Sequence, residues 1–452
     1  MQNGDVIKRV EDEDIELIRF EYCDVSGVAR TKSVHRSQLK QKLVEGVGLT
    51  RAQMSMNLLE EIVPIVGMEP VGEIRLVPDP NTFSVLPWSK GSASILCDQL
   101  DHRRENWGAC TRSFLKSAIA DAHSLGVEVV ASFENEYYLA QRSDESFIPH
   151  DVATHAPVYS AIGHDFAADL ALETIHALQS QGMIVEQAIN EYGPGQQEIA
   201  IRYADALRAA DNQMKFRDTV RGVALRHDLY ASFAPKPWPN EIGSGAHVHM
   251  SLWDPATQRS LLYDPQGTGT LSELGRHFIG GITEHLPSLV ALTAPSYNSY
   301  RRLQPSAWAS STTAWGFDNR EAAVRVASPF FQREEASFNL EYKPCDASAN
   351  PYLALGAIII CGLDGIRRSL EPAAPAQHDP AIMATEERER CGIINLPSTL
   401  AEALNNLRRN ELLVDALGDL LARCYFAIKE SEIETFDAND ETFEVRHHFY
   451  RF

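Results

Sequence analysis

The chain has 452 residues, 44% hydrophobic and 23% charged, with a formal net charge of −21. That size and composition predict a globular protein of more than one domain with ample material for a buried core. The acidic balance argues against nucleic acid or an anionic membrane as a general partner, although a few local arginines with a metal still suit a nucleotide.

From the N-terminus, Ile15 to Tyr22 and Val28 to Val34 read as strands around the turn Asp24-Val-Ser-Gly27. Strand-like runs and Pro-rich turns continue through Pro78-Asp79-Pro80 to Ala93–Asp98, and after His102-Arg-Arg-Glu105 the texture changes. Arg112–Ser124 reads as helix and Val127–Phe133 as strand. Ala204–Arg226 and Leu271–Thr293 read as long helices, while Ala246–Leu252, Ala322–Val326 and Phe338–Lys343 alternate as strands. Leu353–Leu363 predicts a core helix, too short to span a bilayer. Ser398–Glu432 is again helical. The seven cysteines are scattered without a Cys-x-x-Cys and read as reduced core thiols. The start, Met1-Gln-Asn-Gly-Asp, lacks the basic-then-apolar character of a signal peptide, so a cytoplasmic location is expected.

Chemistry-bearing side chains concentrate in four short segments: Phe133-Glu134-Asn135-Glu136, Glu191-Tyr-Gly-Pro-Gly-Gln-Gln-Glu198, Gly243-Ser-Gly-Ala-His247-Val-His249 and Asn339-Leu-Glu341-Tyr-Lys343. Side chains alternate faces along a strand. Glu134 therefore joins Glu136 on one face, His247 joins His249 and Ser251, and Asn339 joins Glu341 and Lys343. Carboxylates facing one space repel by about 4 kcal/mol per pair at ~4 Å and an effective dielectric of 20. A cation must compensate, and hard oxygen donors with an imidazole suit Mg²⁺ or Mn²⁺. Taken singly, each fragment has a plainer reading. Glu191 and Glu198 suit solvated acids on a turn, Glu134 and Glu136 the wet face of an edge strand, and His247 and His249 core histidines. Arg320 with Glu321 suits a surface ion pair. The plain reading is kept for His155, His164, His176, His277, His447 and His448, and for Trp253 and Trp315 as packing residues. It leaves the ordered co-occurrence of the four segments unexplained.

With Phe20-Glu-Tyr-Cys-Asp-Val-Ser-Gly27 before these segments, and with Asn319-Arg320-x-x-x-x-Arg325 and Asn350-Pro351-Tyr352 after them, the chain resembles bacterial type I glutamine synthetases and their glutamate–amine ligase relatives over nearly its whole length. The resemblance implies an α+β fold: a β-grasp N-terminal domain over residues 1–106, then a catalytic domain over 107–452 whose strands form a partial barrel. It implies a homo-oligomer of two stacked hexameric rings, a dodecamer, with sites between one subunit's N-terminal domain and its neighbour's catalytic domain. The implied chemistry is attack of the γ-carboxylate of glutamate on the terminal phosphate of ATP, then displacement of phosphate from γ-glutamyl phosphate by an amine.

Carried over motif by motif, one metal falls to Glu136, Glu191 and Glu198 and a second to Glu134, His247 and Glu341. Arg320 and Arg325 match phosphate-binding arginines. His249 and Ser251 match the nucleotide side, with Glu186. Arg302, Lys343 and Gly243 match the glutamate side. A non-catalytic relative should have lost metal ligands, yet all six positions are filled.

The departures bear on the amine. Ammonia-using members carry an Asp in an Asp-Gly-Ser-Ser segment, where this chain has Leu49-Thr50-Arg51-Ala52. They also carry a Glu on the loop that here reads Arg302-Leu-Gln-Pro-Ser-Ala-Trp308-Ala309, placing Trp308 at that position. An indole accepts no ammonium proton and offers an apolar face. The expectation is therefore an organic amine, alkyl or aromatic, with an ammonia-using glutamine synthetase as the alternative. Ile242 stands where many members have Asn, Lys343 where they have Arg, and Asn339 where they have another basic residue. Ile394, in Gly392-Ile-Ile-Asn-Leu-Pro397, occupies the place of the tyrosine that adenylylated members present.

Overall fold

The computed structural model describes residues 1–143, 146–149 and 156–452; His155 lies outside them. A six-stranded sheet comes first: β1 (Leu17–Cys23), β2 (Ala29–His35), β3 (Val47–Thr50), β4 (Glu73–Pro78), β5 (Ser84–Val85) and β6 (Ser92–Leu100). Its order is β2-β1-β6-β4-β3, with β5 on β6. β1 is antiparallel to β2 and parallel to β6, and helix Arg36–Glu45 packs against β4, β2 and β1, the β-grasp arrangement. The β1–β2 hairpin turns where the sequence predicts, with the Asp24 carboxylate accepting the Val28 N–H at 2.9 Å.

Among the described residues the second sheet holds ten strands: β7 (Glu128–Ser143), β8 (Ser146–Pro149), β9 (Val185–Asn190), β10 (Gln196–Ile201), β11 (Ala204–Asp205), β12 (Tyr230–Ser232), β13 (Ala246–Trp253), β14 (Trp315–Phe317), β15 (Val324–Ala327) and β16 (Asn339–Tyr342). Its main path, β14-β15-β16-β13-β7-β10-β9, curls into a partial barrel. β7 runs far past the predicted end at Phe133. Polar Asn135 is tolerated on its buried face because its amide exchanges hydrogen bonds of 2.7 and 2.6 Å with Gln213.

Helices cover the barrel. Ala206–Arg226 packs on β7, and Pro351–Arg368 packs on Glu273–Thr293 and Thr111–Ser124. The predicted core helix over 353–363 is part of Pro351–Arg368, capped by Asn350, whose side chain accepts from the Tyr352 and Leu353 N–H groups. Two expectations are corrected. Ala204 and Asp205 are strand rather than helix: they pair with Ala131 and Val130, and Asp205 then caps the helix that follows. The stretch 398–432 is broken rather than continuous: Leu400–Arg409 ends where the Asn410 side chain caps the next helix by accepting from Leu413, and Glu411–Asp437 is itself interrupted at Gly418, whose φ of 72° and ψ of 163° are not helical. Trp315 is a packing residue, buried with its indole N–H on the Ala373 carbonyl. All seven cysteines are free and buried. Among the described residues no helix is long and apolar enough to cross a membrane.

Candidate active site

The site follows from strand register. Glu134 of β7 lies opposite His247 of β13, and Glu136 lies opposite Glu198 of β10. His249 lies opposite Glu341 of β16, which in turn lies opposite Arg325 of β15. Residues directly opposed across antiparallel strands share a face, as do residues two apart on one strand. Four strands thereby deliver five of the six predicted metal ligands, and a fifth delivers Arg325, to one side of the sheet. Glu191 arrives from the turn between β9 and β10.

Glu134, His247 and Glu341 each offer a donor atom, and the three atoms lie within 4.8 Å of one another. His247 Nδ1 is 3.2 Å from a carboxylate oxygen of each glutamate. His249, expected on the nucleotide side, also reaches this group, with Nε2 3.3 Å from Glu134. Burial opposes ionisation of Glu341, but the His247 hydrogen bond and the Lys343 ammonium hold its carboxyl well below the usual range. Arg325 Nε also bonds Glu341. Burial works against the charged form of His249, yet hydrogen bonding to Glu134 and the charges of Glu134 and Glu341 raise it to about 9. The Glu198 carboxyl is pushed up to about 10 by burial and by the charges of Glu134, Glu136 and Glu191. That mutual repulsion, with an imidazole at hand, is the donor chemistry a divalent cation neutralises. Glu136, Glu191 and Glu198 act on one another electrostatically. Among the described residues, however, only Glu134, His247 and Glu341 bring their donors within 4.8 Å of one another.

Beside the trio, buried Arg302 donates through Nη2 to His247 Nε2 and to the Lys343 carbonyl, each at 3.2 Å. Among the described residues its buried Nη1 has no hydrogen-bond partner, so one prong of the guanidinium is left for an acceptor. Gly243 permits this placement, since a Cβ there would come within 2.7 Å of Arg302 Cγ. Lys343 Nζ is buried 3.3 Å from Glu341. On the other flank His249 Nδ1 meets Asn339 Oδ1 at 2.9 Å, and Ser251 accepts the Trp253 indole N–H at 2.9 Å. Glu186 is not gathered in: it is exposed and paired with Arg202 at 2.7 Å. Arg320 is exposed.

Instead of pairing with Arg320, Glu321 accepts the Trp308 backbone N–H on Oε1 at 3.0 Å. Trp308 is half exposed, and its ring meets Tyr192 edge-on at 6.0 Å. Tyr192 meets Tyr159 at 5.7 Å, and the Tyr159 hydroxyl donates to Glu191 at 3.3 Å. Tyr159, Tyr192 and Glu321 were not predicted as site residues. Tyr192 and Glu321 carried a signal, lying inside the Glu191–Glu198 and Asn319–Arg325 motifs, and Tyr159 carried none.

Comparison with known proteins agrees along the whole chain. The glutamine synthetase N-terminal domain family matches residues 1–108, and the glutamine synthetase catalytic domain family matches residues 108–448. The chain is 32% identical over 451 residues to a glutamine synthetase of Halobacterium salinarum, covering 99% of this chain and 96% of that protein. It is 34% identical over 427 residues to the gamma-glutamylpolyamine synthetase GlnA3 of Streptomyces coelicolor, covering 93% and 90%. Among solved structures, a GmaS/ADP complex superposes with a TM-score of 0.86 at 29% identity, covering 98% of each chain. A glutamine synthase homolog superposes with a TM-score of 0.85 at 31% identity, covering 97% and 99%.

Proposed function

We propose that this chain, which belongs to the glutamine synthetase family of ATP-dependent carbon–nitrogen ligases, joins an organic amine to the γ-carboxylate of glutamate. ADP and phosphate are released. The observation that carries this reading is Trp308, a half-exposed indole that extends, through Tyr192 and Tyr159, an aromatic wall to Glu191. Such a wall suits an amine with a carbon body better than ammonia. The similarity to a protein named for γ-glutamylpolyamine synthesis supports it, and relatives named glutamine synthetase keep the ammonia-using alternative as the reading to beat.

In this reading, Glu134, His247 and Glu341 hold one divalent ion, and Glu136, Glu191 and Glu198 a second. When bound, Mg²⁺ or Mn²⁺ supplies charge neutralisation around the transferring phosphoryl group. Arg325 and Arg320 face the charge that develops on the phosphoryl oxygens. His249 and Ser251 line the nucleotide side. The unpaired Nη1 of Arg302 and the ammonium of Lys343 receive carboxylate oxygens of glutamate. The protein works in the cytoplasm as a ring-stacked homo-dodecamer. Phosphate release with ATP, glutamate and Mg²⁺, against ammonia and a panel of alkyl- and arylamines, tests the reading. Amide formation with organic amines is expected. Strong activity with ammonia and none with organic amines overturns it in favour of glutamine synthesis.

A further inference from the structure

We infer that Glu321 receives the nitrogen of the acceptor amine, and that this amine is an alkylamine arriving as its ammonium ion. The inference rests on the ligase reading above and narrows its substrate class. Glu321 is only partly buried, and one of its oxygens holds the Trp308 N–H at 3.0 Å. The other oxygen takes no hydrogen bond among the described residues. The carboxyl therefore presents an open acceptor at the edge of the aromatic wall. Trp308, Tyr192 and Tyr159 keep 49%, 51% and 52% of their surfaces exposed, so ring faces are available beside that acceptor. A carboxylate next to free aromatic faces is the pairing that holds an organic ammonium: the charge sits on the acid and the carbons lie along the rings. Burial and the charge of Asp379 raise the Glu321 carboxyl, while the Trp308 N–H and the Lys343 ammonium act the other way.

The loop is also held in an uphill conformation. Ser306, Trp308 and Ser310 all have left-handed backbones, with φ of 55°, 54° and 62°. Strain of this kind persists where surrounding contacts over-determine it, and the Glu321–Trp308 bond is such a contact. It keeps the indole and the acid together.

An arylamine is neutral at physiological pH and needs no base, whereas an alkylamine must lose a proton before it attacks. In the step inferred here, the Glu321 carboxylate takes one proton from R–NH₃⁺. The lone pair of R–NH₂ forms the C–N bond as the C–O bond of γ-glutamyl phosphate breaks. The second nitrogen proton leaves with the phosphate, giving the amide, HPO₄²⁻ and protonated Glu321.

The test compares Glu321→Gln with the parent enzyme, using n-butylamine and hydroxylamine as acceptors near neutral pH. Glutamine keeps an oxygen for the Trp308 N–H, so the loop is retained. Hydroxylamine is largely unprotonated and reports whether phosphoryl chemistry survives. The variant should lose about 100-fold or more in kcat/KM with butylamine and stay within about threefold with hydroxylamine. The butylamine deficit should shrink as pH rises and free base accumulates. Trp308→Ala should raise KM for butylamine more than for hydroxylamine. Equal loss with both acceptors, or no loss with either, overturns the inference while amide formation by the parent leaves the ligase reading standing. A parent that uses ammonia alone overturns both.

Discussion

His247 stands between two carboxylates and a guanidinium: Nδ1 lies 3.2 Å from Glu134 Oε2, and Nε2 lies 3.2 Å from Arg302 Nη2. Arginine only donates, so Nε2 is the acceptor and Nδ1 carries the proton directed at the acids. Ligating a metal through the nitrogen that faces Glu134 and Glu341 requires that proton to move to Nε2, which turns Nε2 into a donor and ends the bond from Arg302. Arg302→Met removes this competing donor and its positive charge, so Mn²⁺ binding should be unchanged or tighter while KM for glutamate rises. Titration of Mn²⁺ by calorimetry without glutamate checks this; weakened affinity would show that the arginine supports the ligand set.

Glu341 gathers His247, Lys343 and Arg325 around one buried carboxylate. Glu341→Ala should reduce phosphate release by about 100-fold or more, by removing electrostatic stabilisation where phosphoryl charge develops. The same variant should lose most of the thermal stabilisation that Mg²⁺ and ATP give the parent, worth about 2.7 kcal/mol at a hundredfold excess over Kd. Near-normal turnover would remove Glu341 from the metal set.

Arg112 ties the small sheet to the helix Ala206–Arg226, which packs on the large one. Its buried guanidinium pairs with Asp211 at 2.8 Å and with Asp79 and Asp98 at 2.9 Å each. Removing one partner from a buried ionic group typically costs ~3–5 kcal/mol, because the charges left behind stay desolvated. Arg112→Ala should destabilise by about that much in denaturant unfolding. A loss below about 1 kcal/mol would mean that water replaces the guanidinium, as at exposed pairs.

Burial, followed by the charge of Asp218, pushes the Glu21 carboxyl up to about 8. In the unfolded chain it titrates near ~4.3. Between those values the folded state holds a proton that the unfolded state has lost, so this group's contribution falls as pH rises from about 5 to about 8. Glu21→Gln should flatten that decline when unfolding is followed across the window. An unchanged slope would show that Glu21 ionises freely in the fold.

Ile394 sits exposed in a loop whose backbone is pinned to Thr313, with bonds of 2.9 Å from the Thr313 N–H and 3.1 Å to its hydroxyl. Without a hydroxyl at this position, intact-mass analysis of native protein should find no AMP adduct on residues 390–400.

Ligand pairs such as Glu134 with Glu136, or His247 with His249, were legible in the sequence because a strand fixes which neighbours share a face. The register that sets His247 against Glu134 was not, since it depends on which strands pair. The contact of Glu321 was not legible either, because it depends on how two loops meet: the chain folds Trp308, 13 residues away, onto the carboxylate. Helix ends failed where a side chain outcompeted propensity, as with the Asn410 cap.

The hairpin turn of the small sheet seats directly on the loop that leads from β16 into helix Pro351–Arg368. Asn350 Nδ2 donates to the Asp24 carbonyl at 2.8 Å, and a Cβ at Gly27, whose φ is +88°, would lie 2.2 Å from the Ser348 carbonyl. The same Asn350 caps that helix, and Glu341 lies nine residues before it on β16. The chain that leaves the Glu341 strand thus packs against a glycine more than 300 residues earlier in sequence, and any side chain there must displace the Ser348 carbonyl.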